Sequence, residues 1–261
     1  MSSNLFAEIK TFWQDVIQDN ESPPKNIDDF LEKLTLLKFA QNSRLYFSIF
    51  NYINFKREYS TSNTLEVFGF QDSDDLEKSA QLLFSFIDEQ HAEGILINNL
   101  QIKELVENIK NEKDMLTFTF SYCGIKYNHS QKGEIQLLWK NTILETNVIN
   151  QPVRRLTIFQ DITNLLKGDS YWFRAEFSSS KRTYFRSYRS DTNETSKNDI
   201  LSNREKEILR YLANGKDTEE IAKTLFISKT TINNHRQNML NKLGARDTTA
   251  LIQLAKLTKL I

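Results

Sequence analysis

Apolar positions over the last sixty residues recur every three or four, with polar signals marking each start and stop. Ile208, Leu209 and Leu212 follow Ser202 and Glu205. That pair predicts a capping box, in which the serine oxygen and the glutamate carboxylate satisfy orphan backbone donors. Asn214-Gly215 ends this helix, because glycine accepts a left-handed backbone. Asp217 and Glu220 start a second helix with Ile221, Ala222 and Leu225 on its buried side, and Ser228 caps a third. At 100° per residue, Ile232, Met239 and Leu243 share one narrow arc of the third helix and form its core face. Residues 247–261 predict a fourth helix started by Asp247, with two apolar rows. Ala250, Leu254, Leu257 and Ile261 form one row, Leu251 and Ala255 the other. The pattern is that of a helix-turn-helix.

Upstream the period changes. Leu5, Phe6, Ile9, Phe12, Trp13, Val16 and Ile17 lie on one helical stripe, ended by Pro23-Pro24. Ile27, Phe30, Leu31, Leu34 and Leu37 lie on a second. Residues 45–55 are rich in aromatic and β-branched residues, and residues 56–59 lead into a short helix near 63–67 that closes at Gly69. Helices near 75–86 and 100–109 precede strand-like runs at 116–126, 134–145 and 153–161. Strands flanking central helices predict an α+β module rather than an alternating parallel sheet. The segments are therefore N-terminal helices (1–41), a sensor-sized module (42–167), a hairpin and linker (168–199) and an all-α four-helix domain (200–261). The linker reading rests on residues 187–199, which are polar and poor in apolar side chains.

The polar face of the third helix carries the chemistry. Thr230, Asn233, Asn234, Gln237 and Asn241 fall together, and no acid occurs from Ser228 through Arg246. Amides bond both edge atoms of adenine in the major groove, which makes Thr230, Asn233, Asn234 and Gln237 the base-reading candidates. Ser228, Lys229, Thr231, His235, Arg236 and Lys242 border them as phosphate-contacting candidates. On the fourth helix, Leu251 and Ala255 form a spare row that a partner subunit could cover; the alternative is a helix buried on both sides by its own chain. Double-stranded DNA and a second copy of the chain are thus the expected partners.

These residues resemble the LuxR-type (NarL/FixJ-like) DNA-binding domain. The matching pieces are Leu201-Ser202, Arg204-Glu205, Glu207-Ile208-Leu209, Gly215, Glu220-Ile221-Ala222, Leu225, Ile227-Ser228, Thr231-Ile232, His235, Asn238-Met239 and Lys242-Leu243-Gly244. The resemblance implies a third helix in the major groove and a fourth that helps dimerise. Asn233 stands where the family often has lysine. Residues 42–167 resemble a PAS domain in the order ββααα then βββ. They share with it Asn51-Tyr52, Tyr59-Ser60, Glu66, Gly69-Phe70, Gly133-Glu134 and the closing Phe159-Gln160-Asp161-Ile162-Thr163. That resemblance implies a PAS-like antiparallel sheet with helices that senses a small molecule or a protein signal.

Charge agrees with two parts. Residues 200–261 hold eleven Lys/Arg against six Asp/Glu, whereas the remainder holds 23 against 28. A basic module joined to an acidic one suits nucleic-acid binding. The single cysteine, Cys123, excludes an internal disulfide and lacks a flavin photosensor context, so a buried structural thiol is expected. His91 and His129 stand beside polar residues and are expected at the surface. No catalytic constellation, cofactor signature or metal cluster is present in the sequence, and an enzyme is not expected. No membrane span or leader is legible, so a cytoplasmic location is expected. Asp74-Asp75 superficially suits a phosphorylated receiver, but the βα alternation is missing. The Trp/Tyr/Asp-Pro constellation of an acyl-homoserine lactone domain is absent. A sigma-factor-like protein or a non-DNA-binding adaptor are the rival readings. Residues 171–177 and 183–188 predict a hairpin carrying Arg174, Arg182, Arg186 and Arg189, more in keeping with long solvated side chains on a half-buried hairpin than with nucleic-acid contacts.

Overall fold

A computed structural model describes residues 45–70, 76–109, 115–147 and 150–261, together with Thr11. The two predicted N-terminal helices, over 5–17 and 27–37, and Asp74-Asp75 lie outside the described residues. Strands β1 (Leu45–Asn51) and β2 (Lys56–Ser60) form an antiparallel pair. Helices α1 (Thr64–Phe68), α2 (Leu76–Ser85) and α3 (Glu89–Ile109) follow. Strands β3 (Met115–His129), β4 (Gly133–Thr146) and β5 (Pro152–Asp161) come next, then a 3-10 turn (Thr163–Leu165). Strands β6 (Trp172–Ser179), β7 (Thr183–Arg189) and β8 (Glu194–Ser196) complete one antiparallel sheet, ordered β2-β1-β5-β4-β3-β6-β7-β8.

The expected order of elements is present, and the differences are in extent. Helix α3 starts eleven residues before the predicted 100, because His91, Gly94, Asn98, Asn99 and Gln101 occupy its buried face and interrupt the apolar stripe. Gly94 leaves room for Tyr171: a Cβ there would stand 1.5 Å from the tyrosine hydroxyl. The hairpin forms as β6 and β7. The supposed linker does not stay open, because Ser187–Arg189 and Glu194–Ser196 pair as strands. Arg174 and Arg186 are buried in ion pairs with Asp199, Glu176 and Glu104, and Arg189 pairs with Asp191. His91 and His129 correct the sequence expectation, for both are buried. His91 Nδ1 accepts from Lys126 N at 2.8 Å, and His129 Nδ1 accepts from Gln131 N at 3.1 Å. Cys123 is buried and unpaired, and burial pushes its thiol pKa up.

Alternate residues of the central strands serve two cores. Tyr122, Leu137, Trp139, Phe173, Ala175 and Phe177 pack with α3 on one side, while Cys123, Leu138 and Trp172 pack with the C-terminal helices on the other. A bulge between Cys123 and Ile125 changes the register on β3. Gly124 sits there at φ +93°, and only glycine fits, since a Cβ would meet Ser170 O at 3.0 Å. Helices α4 (Asn203–Ala213), α5 (Thr218–Leu225), α6 (Lys229–Leu243) and α7 (Thr248–Leu257) form the C-terminal domain. This domain is seated on the sheet through hydrogen bonds as well as apolar contact. Trp172 Nε1 donates to Leu243 O at 3.2 Å, Lys167 N to Gly244 O at 2.8 Å, and Arg246 N to Leu165 O at 3.1 Å. Asp199, its side chain 7% exposed, joins Arg174 of β6 to Lys206 of α4. Burial alone would raise its carboxyl pKa, but the two cations hold it below its ordinary value.

Candidate nucleic-acid interface

Each helix of the C-terminal domain is fixed by its own start. Ser202 Oγ accepts from Glu205 N at 3.2 Å, and Glu205 Oε2 accepts from Ser202 N at 2.8 Å, so the capping box is complete. Asp217 and Glu220 repeat it at the start of α5. Ser228 Oγ accepts from Thr231 N at 3.0 Å at the start of α6, and Asp247 Oδ1 from Ala250 N at 2.8 Å at the start of α7. Each such cap stabilises by about 1 kcal/mol. Ile232, Met239 and Leu243 are all 0% exposed, as their arc predicts.

With those three fixed inward, Thr230, Asn233, Asn234, Gln237 and Asn241 are all exposed. The structure brings the first four together on one face. Asn233 Oδ1 accepts from Arg236 Nη2 at 2.8 Å, which leaves the Asn233 amino group to donate; Gln237 Nε2 donates to Asn241 Oδ1 at 3.0 Å, which leaves the Gln237 carbonyl to accept. One donor and one acceptor stand one helical turn apart. Ser228 and Lys229 are exposed beside them, while Thr231, His235 and Arg236 are half-buried on the flanks. Lys229 Nζ reaches Glu219 of α5 at 2.7 Å.

The Lys242 ammonium lies 2.8 Å from Glu205 Oε2, whose side chain is 4% exposed, so in this conformation it compensates a buried carboxylate. Burial raises the Glu205 carboxyl pKa, but Lys242 and the Ser202 N–H outweigh that and hold it below the ordinary carboxylate value. Leu251 and Ala255 are both 0% exposed. Helix α7 packs on α4, α6 and the 3-10 turn, so in this conformation its second row is covered by its own chain. Sequence reasoning missed Phe226. It ends α5 in left-handed backbone at φ +55° with its ring 94% exposed, and the pattern of its neighbours gave the only available signal, since Leu225 and Ile227 both turn inward.

The geometry defines a helix-turn-helix domain with an acid-free amide face, carried behind an antiparallel sheet domain. Residues 199–255 match the family model "Bacterial regulatory proteins, luxR family". The spore germination protein GerE of Bacillus subtilis (strain 168) is 39% identical over 62 residues, which are 23% of this chain and 84% of that protein. This chain belongs to the luxR family of bacterial regulatory proteins. The Fimbriae Z protein of Escherichia coli (strain K12) is 38% identical over 104 residues, 40% of this chain and 47% of that protein; the chain thus spans about half the length of that relative. Among solved structures, a Vibrio cholera VqmA–ligand–DNA complex is 15% identical, with 85% of each chain covered and a TM-score of 0.32, too distant to carry an argument.

Proposed function

We propose that this chain is a sequence-specific, DNA-binding transcriptional regulator, cytoplasmic, acting by binding and not by catalysis. Helix α6 enters the major groove and reads base edges with Thr230, Asn233, Asn234 and Gln237. Ser228, Lys229, Thr231, His235 and Arg236 contact phosphates. The observation that carries this reading is the exposed face of α6, five polar side chains with no acid among them, set on a rigid three-residue core arc. A solvated helix face ordinarily mixes both signs of charge, whereas this one is built of amides, with cations at its border. The test is the affinity of the full chain for duplexes recovered from a random pool, against scrambled duplexes, at rising salt. Specific binding that outlasts the scrambled control supports the reading; equal affinity for both would leave only non-specific attraction.

The sheet domain, on the same reading, is PAS-like and senses a small molecule or a protein signal that controls dimeric DNA binding, with no resident cofactor. Its support is the ββααα then βββ order and the state of its interior. Asn99 Nδ2 and Gln101 Oε1 on α3, and Arg155 Nε on β5, are buried without a hydrogen-bond partner among the described residues. Each such group costs about 1–3 kcal/mol, a cost removed when a bound molecule supplies the missing partner. A partner subunit would use Leu251 and Ala255 of α7 once the helical domain leaves its seat.

A further inference from the structure

Phe226 combines two unfavourable conditions. Its backbone is left-handed, a conformation in which a bulky residue is an outlier and where a helix-turn-helix turn often has glycine. Its ring is 94% exposed, so packing within the domain offsets neither the strain nor the exposed apolar surface. Leu225 and Ile227, on either side, turn into the domain and leave Phe226 directed away from it.

The chain geometry then limits how far the ring can lie from the start of α6. Only Ile227 separates Phe226 from Ser228, the cap of α6, so the two Cα atoms lie within about 7 Å of each other. A helix with its side chains is roughly 10–12 Å across and a major groove about 12 Å wide, so α6 fills the groove from wall to wall. What lies one ring length outside its first turn is the sugar–phosphate wall. Lys223 and Lys229 flank Phe226 at equal spacing in sequence, with side chains 76% and 61% exposed, and Glu219 tethers both ammonium groups at 3.1 and 2.7 Å. Exposed cations near an apolar ring in the sequence suit phosphates beside a deoxyribose.

We propose that Phe226 is a DNA-contacting residue whose ring lies on the deoxyribose carbons at the rim of the major groove and sets the depth at which α6 enters. This rests on the DNA-reading assignment of α6. The test uses the full chain and a duplex that the wild type selects, and compares Phe226→Gly and Phe226→Leu in thermal unfolding and in affinity against salt. Glycine relaxes the backbone, so Phe226→Gly unfolds at the same or a higher temperature. It binds about tenfold more weakly, as loss of a partly buried aromatic contact implies. The slope of log affinity against log salt stays unchanged, because a ring on sugar releases no counterions. Phe226→Leu falls between the two. Wild-type affinity in Phe226→Gly at every salt concentration overturns the proposal. Unchanged affinity with loss of transcription in a reconstituted system also overturns it, by assigning the ring to the polymerase. A wild type that selects no sequence is a separate outcome, one that removes the DNA reading itself.

Discussion

Lys242 and Lys229 are both lysines at the border of one helix face, yet their surroundings give them different work. Lys242 compensates a buried carboxylate, whereas the Lys229 pair is exposed and contributes little to folding. Lys242→Ala is therefore expected to lower stability by about 1–3 kcal/mol, because Glu205 is left buried without its cation. It should leave the salt dependence of DNA binding as it is. Lys229→Ala should leave stability alone and flatten that dependence by about one unit of slope. Denaturant unfolding and binding titrations of the two variants check both halves; a flattened slope in Lys242→Ala would restore it as a phosphate contact. His91 gives a pH prediction. Burial lowers its pKa, against an opposing pull from Asp88, and Nδ1 accepts a backbone N–H, so the folded state holds the neutral ring. The unfolded chain takes up the proton first as pH falls. This part of stability is thus present above roughly pH 6.5 and is lost as pH falls from there toward the lowered folded value. His91→Gln should show a shallower loss of unfolding midpoint across that window, and an identical loss would mean that other groups control it.

At the scale of elements, the helix starts of the C-terminal domain were legible because each is a local chemical signal. Ser202 and Glu205 are three residues apart, as are Asp217 and Glu220, and both boxes form as read. Contacts between distant residues carried no such signal. Glu205 and Lys242 are 37 apart, and Trp172 and Leu243 are 71 apart. Periodicity places Lys242 on a polar border and Trp172 on a strand, but cannot say that each is committed to a distant partner. Helix α3 was half legible: Ile102, Leu105 and Ile109 gave its second half, while the buried polar side chains of His91, Asn98 and Asn99 hid the first. The same limit turned a paired segment into a linker, because β8 (Glu194–Ser196) is held by its register with β7 and buries little apolar surface. The seat of the helical domain yields a prediction at this scale. Trp172→Phe keeps an aromatic ring against the second core and removes only the donor to Leu243 O. It should cost about 1 kcal/mol of stability and quicken proteolysis between the two domains. Unchanged protection would show that the apolar contact alone holds the seat.

For the whole molecule, the two cores share one sheet, so what happens on its inner face is one residue away from the helical domain. Tyr171 packs on His91 and against Gly94 within the core of the sheet domain, and the next residue, Trp172, holds the end of α6. A dimer through Leu251 and Ala255, both 0% exposed, would require them to be uncovered, and on the proposed function DNA binding would supply the differential affinity that moves this equilibrium. Sedimentation of the full chain on a selected duplex should show two chains per duplex, on half-sites about one helical turn apart. A single chain bound at full affinity would contradict dimeric binding. The most direct measurement is a binding selection from random duplexes with wild type and Asn233→Ala side by side. A side-chain amide can donate to adenine N7 and accept from its N6 amino group, a pairing that guanine refuses. Wild type should select half-sites with adenine at one or more central positions. Asn233→Ala should bind them about 1–3 kcal/mol more weakly and lose preference at one base pair. Recovery of the same motif with equal sharpness from both would contradict the assignment of α6 as the reading helix in this orientation.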